Sequence, residues 1–229
     1  MESSDILYKD GDVVVCRKSA GDLSEKGPGR NLPDAVAALL RSEGEDDALF
    51  TVHRLDKPVG GLTVLARTHE AASSLITQIA ARTAEKEYLA VLRGVPEGTE
   101  GVWEDLLFHD RSTNKTFVVT RPRKGVREAK LSWRLLGTVE AEGKVLSLVR
   151  VRLFTGRTHQ IRAQFSHRGL PLLGDIRYGS RAEHGPALFS CYLAFDHPKT
   201  GERMEFTLTP RGMPWDLFND KPERQPSPT

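Results

Sequence analysis

Apolar residues in this chain fall mostly in short runs, each cut off by glycine, proline or an acidic turn, and only three stretches carry them at helical spacing. A chain patterned this way builds a sheet and lays a few helices on it. Ile6 to Tyr8 and Val13 to Cys16 flank Asp10-Gly11-Asp12 as a hairpin, and Leu188 to Phe195 and Met204 to Leu208 flank His197-Pro198-Lys199-Thr200-Gly201 as another. Between them Leu62 to Arg67, Tyr88 to Leu92, Thr116 to Thr120, Lys130 to Leu136 and Val145 to Phe154 read as strands. The spacing predicts helices over 32–43, 68–82 and 158–167, the first opened by Asn31 and Pro33, the second by Thr68. The expected fold is α/β of the α+β type: one domain with a mixed, largely antiparallel central sheet, flanking helices and a cleft across the sheet.

With 229 residues and no internal repeat, the chain has room for a sizeable core without a second domain. Two cysteines, Cys16 and Cys191, are too few for a disulfide framework or a thiolate metal site, so both read as small buried apolar groups. No basic, then apolar, leader opens the sequence and no run of about 20 apolar residues interrupts it, which leads to the expectation of a cytoplasmic protein with no membrane partner. Neither GxxxxGK[ST], GxGxxG, HExxH nor GxSxG is present, which removes the best signals for triphosphate, dinucleotide, metal-hydrolase and serine-hydrolase chemistry.

Net charge conceals more than it shows. The whole chain carries 33 Lys and Arg against 31 Asp and Glu, a balance of +2. Residues 107–181 hold 16 of the basic residues and 5 of the acidic ones, a local +11, and the remainder is therefore −9. One face of the protein is expected to attract phosphate while the other keeps it soluble. Solvated arginines on exposed strands would give the same count.

Three segments place ionisable groups where a loop meets regular structure. His53-Arg54-Leu55-Asp56-Lys57-Pro58-Val59-Gly60-Gly61 sets a carboxylate between two cations on a glycine-ended loop, although an aspartate capping its own turn would read the same. Lys86-Glu87-Tyr88-Leu89-Ala90-Val91-Leu92-Arg93-Gly94 opens a strand with a tyrosine that is either a core ring or a stacking surface for a base. Gly156-Arg157-Thr158-His159-Gln160-Ile161-Arg162-Ala163-Gln164, continued through Arg168 and Gly174-Asp175-Ile176-Arg177-Tyr178-Gly179, is dense in forked guanidinium groups suited to phosphate or carboxylate.

In this order the three segments resemble the motifs of the RluA-like pseudouridine synthases, enzymes that isomerise uridine in RNA. The resemblance covers roughly residues 5 to 214 as a catalytic domain, leaves 215–229 as a polar, proline-rich tail, and includes no separate N-terminal RNA-binding domain. It implies that Asp56 is the catalytic carboxylate, attacking the ribose or taking a proton from it. Arg162 would be its ion-pairing partner, and Tyr88 the ring that stacks on the target base and helps remove its proton late in the reaction. Arg54, Arg157 and Arg168 are the candidates for contact with the RNA backbone around a flipped-out nucleotide. No metal or organic cofactor is implied, the partner is ribosomal or transfer RNA, no obligatory protein partner is needed, and a monomer is the default. The sequence departs from the family where Val59-Gly60-Gly61 replaces the usual Thr-Ser-Gly, Ser19 a proline and Gln164 a histidine. The loss of two hydrogen-bonding side chains beside Asp56 admits a second reading, an RNA-binding or RNA-folding protein with impaired chemistry. A third is a small-molecule enzyme using the same Asp56 and Arg162.

Overall fold

The computed structural model describes residues 5–180 and 185–218. In chain order its elements are β1 (Ile6–Lys9), β2 (Val13–Lys18), α1 (Leu32–Ser42), β3 (Phe50–Thr51), β4 (Gly60–Ala66), α2 (His69–Ala81), β5 (Glu85–Arg93), β6 (Glu100–Asp110), β7 (Lys115–Val119), β8 (Val126–Ala141), β9 (Lys144–Leu153), α3 (Gln160–His167), β10 (Leu188–Asp196) and β11 (Arg203–Thr207). The strands join in one sheet in the order β1-β2-β4-β10-β5-β9-β8-β6-β7, with β11 paired to β10 and β3 to β4. Every pairing is antiparallel except β4 with β10, so the sheet is mixed and largely antiparallel, as its sequence pattern implied.

That one parallel pairing organises the molecule. β10 meets β4 only through Phe189 against Gly60 and Ser190 against Gly61, and then pairs with β11 from Tyr192 to Asp196. β4 meanwhile turns away with β2 on one edge and β3 on the other. The sheet therefore forks. Gly61 sits at the fork with φ of +118°, and a Cβ there would lie 2.3 Å from the Ser190 carbonyl oxygen, so only glycine lets the strands approach.

Each helix fills a space the fork creates. Val13, Val15, Leu62 and Val64 face Ala71 and Leu75 of α2, whose Gln78 side chain also hydrogen-bonds both backbone groups of Asp196 at the far end of β10. Val14, Cys16 and Leu65 point the other way, onto Leu32, Val36 and Leu40 of α1. A strand covered on both faces reads as an unbroken apolar run, which is why Val13 to Cys16 does not alternate. Ile161 and Phe165 of α3 cover Tyr88, Leu131, Val149 and Val151 on one face of the central strands. Leu89, Leu148 and Tyr192 line the other face.

The caps behave as their residue types dictate: Asn31 accepts from the Asp34 amide and Thr68 from the Ala71 amide. Three features depart from the sequence reading. β6 was not expected, because Glu100, Glu104, Asp105 and Asp110 break its alternation and Leu107 is its one buried residue. The third helix starts at Gln160 rather than 158, since His159 lies in the left-handed region at φ 54°. Trp215 and Phe218, assigned to the tail, are buried against Tyr192 and Leu148 because two large rings gain more by covering that face than by facing water. The tail from Asp220 onward lies outside the described residues.

Candidate active site

A cleft of about 1040 Å³ opens over the fork, lined by the 52–59 loop, the start of β5, residues 153–162 and the loop carrying Ser24 and Glu25. Asp56 stands in it on the loop joining β3 to β4. Its Oδ2 accepts from Arg162 Nη1 at 3.0 Å. Arg162 is 4% exposed, and its other side is taken by Asp175, through Nε at 2.7 Å and Nη2 at 2.9 Å. A buried guanidinium thus bridges a buried carboxylate and a cleft-facing one, and the Asp175 fork fixes the plane in which Nη1 meets Asp56. Burial alone would lower the Arg162 pKa, but its two carboxylate partners raise it instead.

The loop bearing Asp56 is held from below. Lys18, wholly buried at the end of β2, donates to the carbonyls of Ser19 at 3.1 Å, Lys57 at 3.1 Å and Val59 at 2.7 Å, with that of Asp56 at 3.4 Å. Burial lowers the ammonium's pKa to about 8, with Asp22 and Asp56 opposing. Val59 is buried in the core beside Leu55 and Tyr88, and its amide closes a turn on the Asp56 carbonyl. Where relatives of the resembled family carry hydroxyl side chains, this loop is therefore fixed through its backbone and one apolar plug.

Tyr88 forms the wall beside Asp56 and is 6% exposed. Burial first, and the neighbouring Asp56 charge second, push its hydroxyl above the ordinary tyrosine range, so it keeps its proton at neutral pH. His159 lies opposite, with Nε2 3.7 Å from Asp56 Oδ2. Burial brings its pKa down to about 4, so the ring is neutral near pH 7. The Tyr178 hydroxyl accepts from the Thr116 amide at 2.7 Å and lies 3.1 Å from His159 Nδ1. The hydrogen bond between the Tyr178 hydroxyl and His159 Nδ1 fixes the imidazole plane beside Asp56.

The structure brings Asp56, Tyr88 and Arg162 together from three distant segments. It treats the other three candidates unequally. Arg54 is exposed at the cleft mouth and paired with Glu25 at 2.9 Å; Arg157 is exposed on the opposite lip, its Nε bound to the Glu128 carbonyl at 2.9 Å. Arg168 is not part of the cleft lining. Its guanidinium lies 4.1 Å over Trp103 and forks onto Asp105 at 2.9 and 3.1 Å, so its donors are committed to the protein. Lys18, Asp175, His159 and Tyr178 were not nominated from sequence. Asp175 and Tyr178 lay inside the quoted third segment, and Gly174 before Asp175 was the available signal: at φ +79° its Cβ would stand 2.0 Å from the Gly185 carbonyl oxygen. Lys18, at the end of an apolar strand, carried no such mark.

Comparison with known proteins agrees with this geometry. Residues 12–167 match the family model described as RNA pseudouridylate synthase. An uncharacterized RNA pseudouridine synthase of Bacillus subtilis is 34% identical over 211 residues, covering 88% of this chain and 67% of that protein. The ribosomal large subunit pseudouridine synthase D of Pseudomonas aeruginosa is 33% identical over 221 residues, again 88% and 67%. The chain thus spans about two thirds of the length of these relatives. Among solved structures, human RNA pseudouridylate synthase domain containing 4 superposes with a TM-score of 0.75 at 22% identity over 91% of this chain and 90% of that one, a likeness of fold.

Proposed function

Because the chain belongs to the RNA pseudouridylate synthase family, we propose that it converts a uridine of ribosomal RNA to pseudouridine, with Asp56 as the catalytic carboxylate. The ribosomal target rests on the relative named for the large subunit. What supports the assignment of Asp56 most directly is the buried chain Asp175, Arg162, Asp56, which ends in a single carboxylate presented to an open cleft beside a tyrosine ring.

The target nucleotide must leave its stack to reach that carboxylate, at a cost of a few kcal/mol offset by phosphate contacts. Arg54 and Arg157, exposed side chains of the cleft lining, would supply some of them by exchanging their contacts with Glu25 and the Glu128 carbonyl for phosphate. Once the nucleotide is seated, the Asp56 carboxylate adds to the ribose or removes a proton from it, and the glycosidic bond breaks with its electron pair on uracil. The base turns against Tyr88 and rejoins the ribose through carbon. Tyr88 stacks on the base and helps remove the proton at that carbon, which passes to water in the cleft. His159 stands beside Asp56, its Nε2 3.7 Å from the carboxylate. The reading requires no cofactor and one copy of the chain, working in the cytoplasm; among the described residues no helix is long and apolar enough to cross a membrane.

The deciding experiment is a pseudouridine map of RNA from cells lacking the gene, complemented with wild type or Asp56→Ala. Wild type is expected to restore a defined site, and Asp56→Ala to restore none. Restoration by the variant would remove Asp56 from the chemistry.

A further inference from the structure

Of the eight lysine and arginine side chains lining the cleft, four are already engaged. Arg162 is held by two carboxylates, Arg54 by Glu25, Arg157 by the Glu128 carbonyl and Arg177 by the carbonyls of Thr113 and Asn114. Of the other four, Lys26, Lys57 and Arg82 are exposed, but Lys86 is half-buried. Among the described residues no acidic side chain pairs with its ammonium. That Nζ lies against Gly156, 3.7 Å from where a Cβ would stand, on the segment that leads into the Arg157 lip.

An ammonium withdrawn from water without an anion is unfavourable, and burial accordingly lowers the Lys86 pKa. Position explains why one is kept here. Lys86 and Tyr88 are two residues apart on β5, so strand alternation points both into the cleft, about 6.5 Å from one another. A uridine whose base lies on Tyr88 and whose ribose lies at Asp56 must carry its backbone away along one wall, and Lys86 is the cleft-lining cation on the strand that bears Tyr88.

We infer that Lys86 binds the RNA phosphate adjoining the target uridine, and that this phosphate is the anion the cleft lacks. The inference deepens the pseudouridine synthase reading by assigning a phosphate subsite beside the reacting nucleotide. A methionine at 86 would keep the stem that packs in the wall and lose only the charge; an arginine would keep the charge.

The test measures binding of a short single-stranded oligouridylate to wild type, Lys86→Met, Lys86→Arg and, as a control outside the cleft, Lys199→Met, between about 50 and 200 mM salt. Thermal melts of each variant run alongside. Lys86→Met is expected to weaken binding about tenfold and to flatten the plot of log affinity against log salt by about 0.7, the increment for one single-strand phosphate contact. Lys86→Arg is expected to keep the wild-type slope and Lys199→Met to change nothing. An unchanged slope in a folded Lys86→Met would overturn the assignment, as would a slope lost equally in Lys86→Arg. Should the pseudouridine map fail while the slope still falls, the assigned chemistry is wrong and the phosphate subsite stands.

Discussion

Helix α3 and its C-terminal cap carry two arginines, and each forks onto an aspartate; their surroundings make one a working part of the cleft and the other a clamp. Arg162 gives Nε and Nη2 to Asp175 and has Nη1 left for Asp56. Arg168 gives both terminal nitrogens to Asp105, and Nη1 also reaches the Gln164 carbonyl at 3.1 Å. Six residues separate them, about one and two-thirds helical turns, so they leave the helix on different sides. The same residue type in one motif thus takes two roles, decided by which donor remains after the first carboxylate is satisfied.

Removing each aspartate should expose the difference most strongly. Asp175→Ala strands a guanidinium that is almost wholly buried and is expected to cost ~3–5 kcal/mol in urea unfolding. Asp105→Ala frees an arginine whose side chain is 28% exposed and which can turn to solvent, and leaves the buried Gln164 amide without its acceptor, so ~1–3 kcal/mol is expected. Equal losses would break the distinction between the two pairs.

On turnover, Arg162→Met is expected to slow single-turnover pseudouridine formation by ~10²–10³-fold, the scale of losing one preorganised charge at a reacting centre. Arg168→Met should stay within about twofold. A matching loss in Arg168→Met would mean that the outer clamp positions the chemistry after all.

A further contrast lies in the response to acid. Burial holds His53 at about 3 and His159 at about 4, against 6.5 for an ordinary histidine. Between pH 6.5 and about 4 the unfolded chain therefore binds protons that the folded cleft refuses, and stability falls on acidification, by up to roughly 1.4 kcal/mol per pH unit for each group. Burial would raise the Asp105 pKa, but hydrogen bonds from Arg168 and Gln164 hold it below the ordinary 3.8, so the outer clamp keeps its contribution until the pH drops further. Urea midpoints measured across this range should show a slope that His53→Gln reduces and Asp105→Asn leaves alone.

These contrasts also mark how far the sequence could be read. Asp56, Tyr88 and Arg162 could be grouped because three ordered segments resemble a family's motifs; their neighbours alone read equally as a turn cap, a core ring and solvated arginines, and their meeting in one cleft appears only in the fold. The fold class was legible because strands such as Val145 to Phe154 announce themselves by length and pattern. Arg168, a candidate for RNA contact, lies outside the cleft lining because it pairs with Asp105, in a strand that five charged or imidazole side chains hide. Lys18 and Asp175 escaped because a buried charge has no signature until the carbonyls or the guanidinium it serves are brought to it from elsewhere in the chain. Periodicity reports which face of an element is apolar; it is silent on which polar groups meet across the fold.

The two-residue contact between Gly60-Gly61 and Phe189-Ser190 sets an order of events during synthesis. The Asp56 loop, the Tyr88 strand and the Arg162 helix are all synthesised before β10, and the gap between β4 and β5 cannot be filled until residues 188–196 follow. The cleft is therefore completed by a late strand that slots into the middle of the sheet rather than adding to its edge.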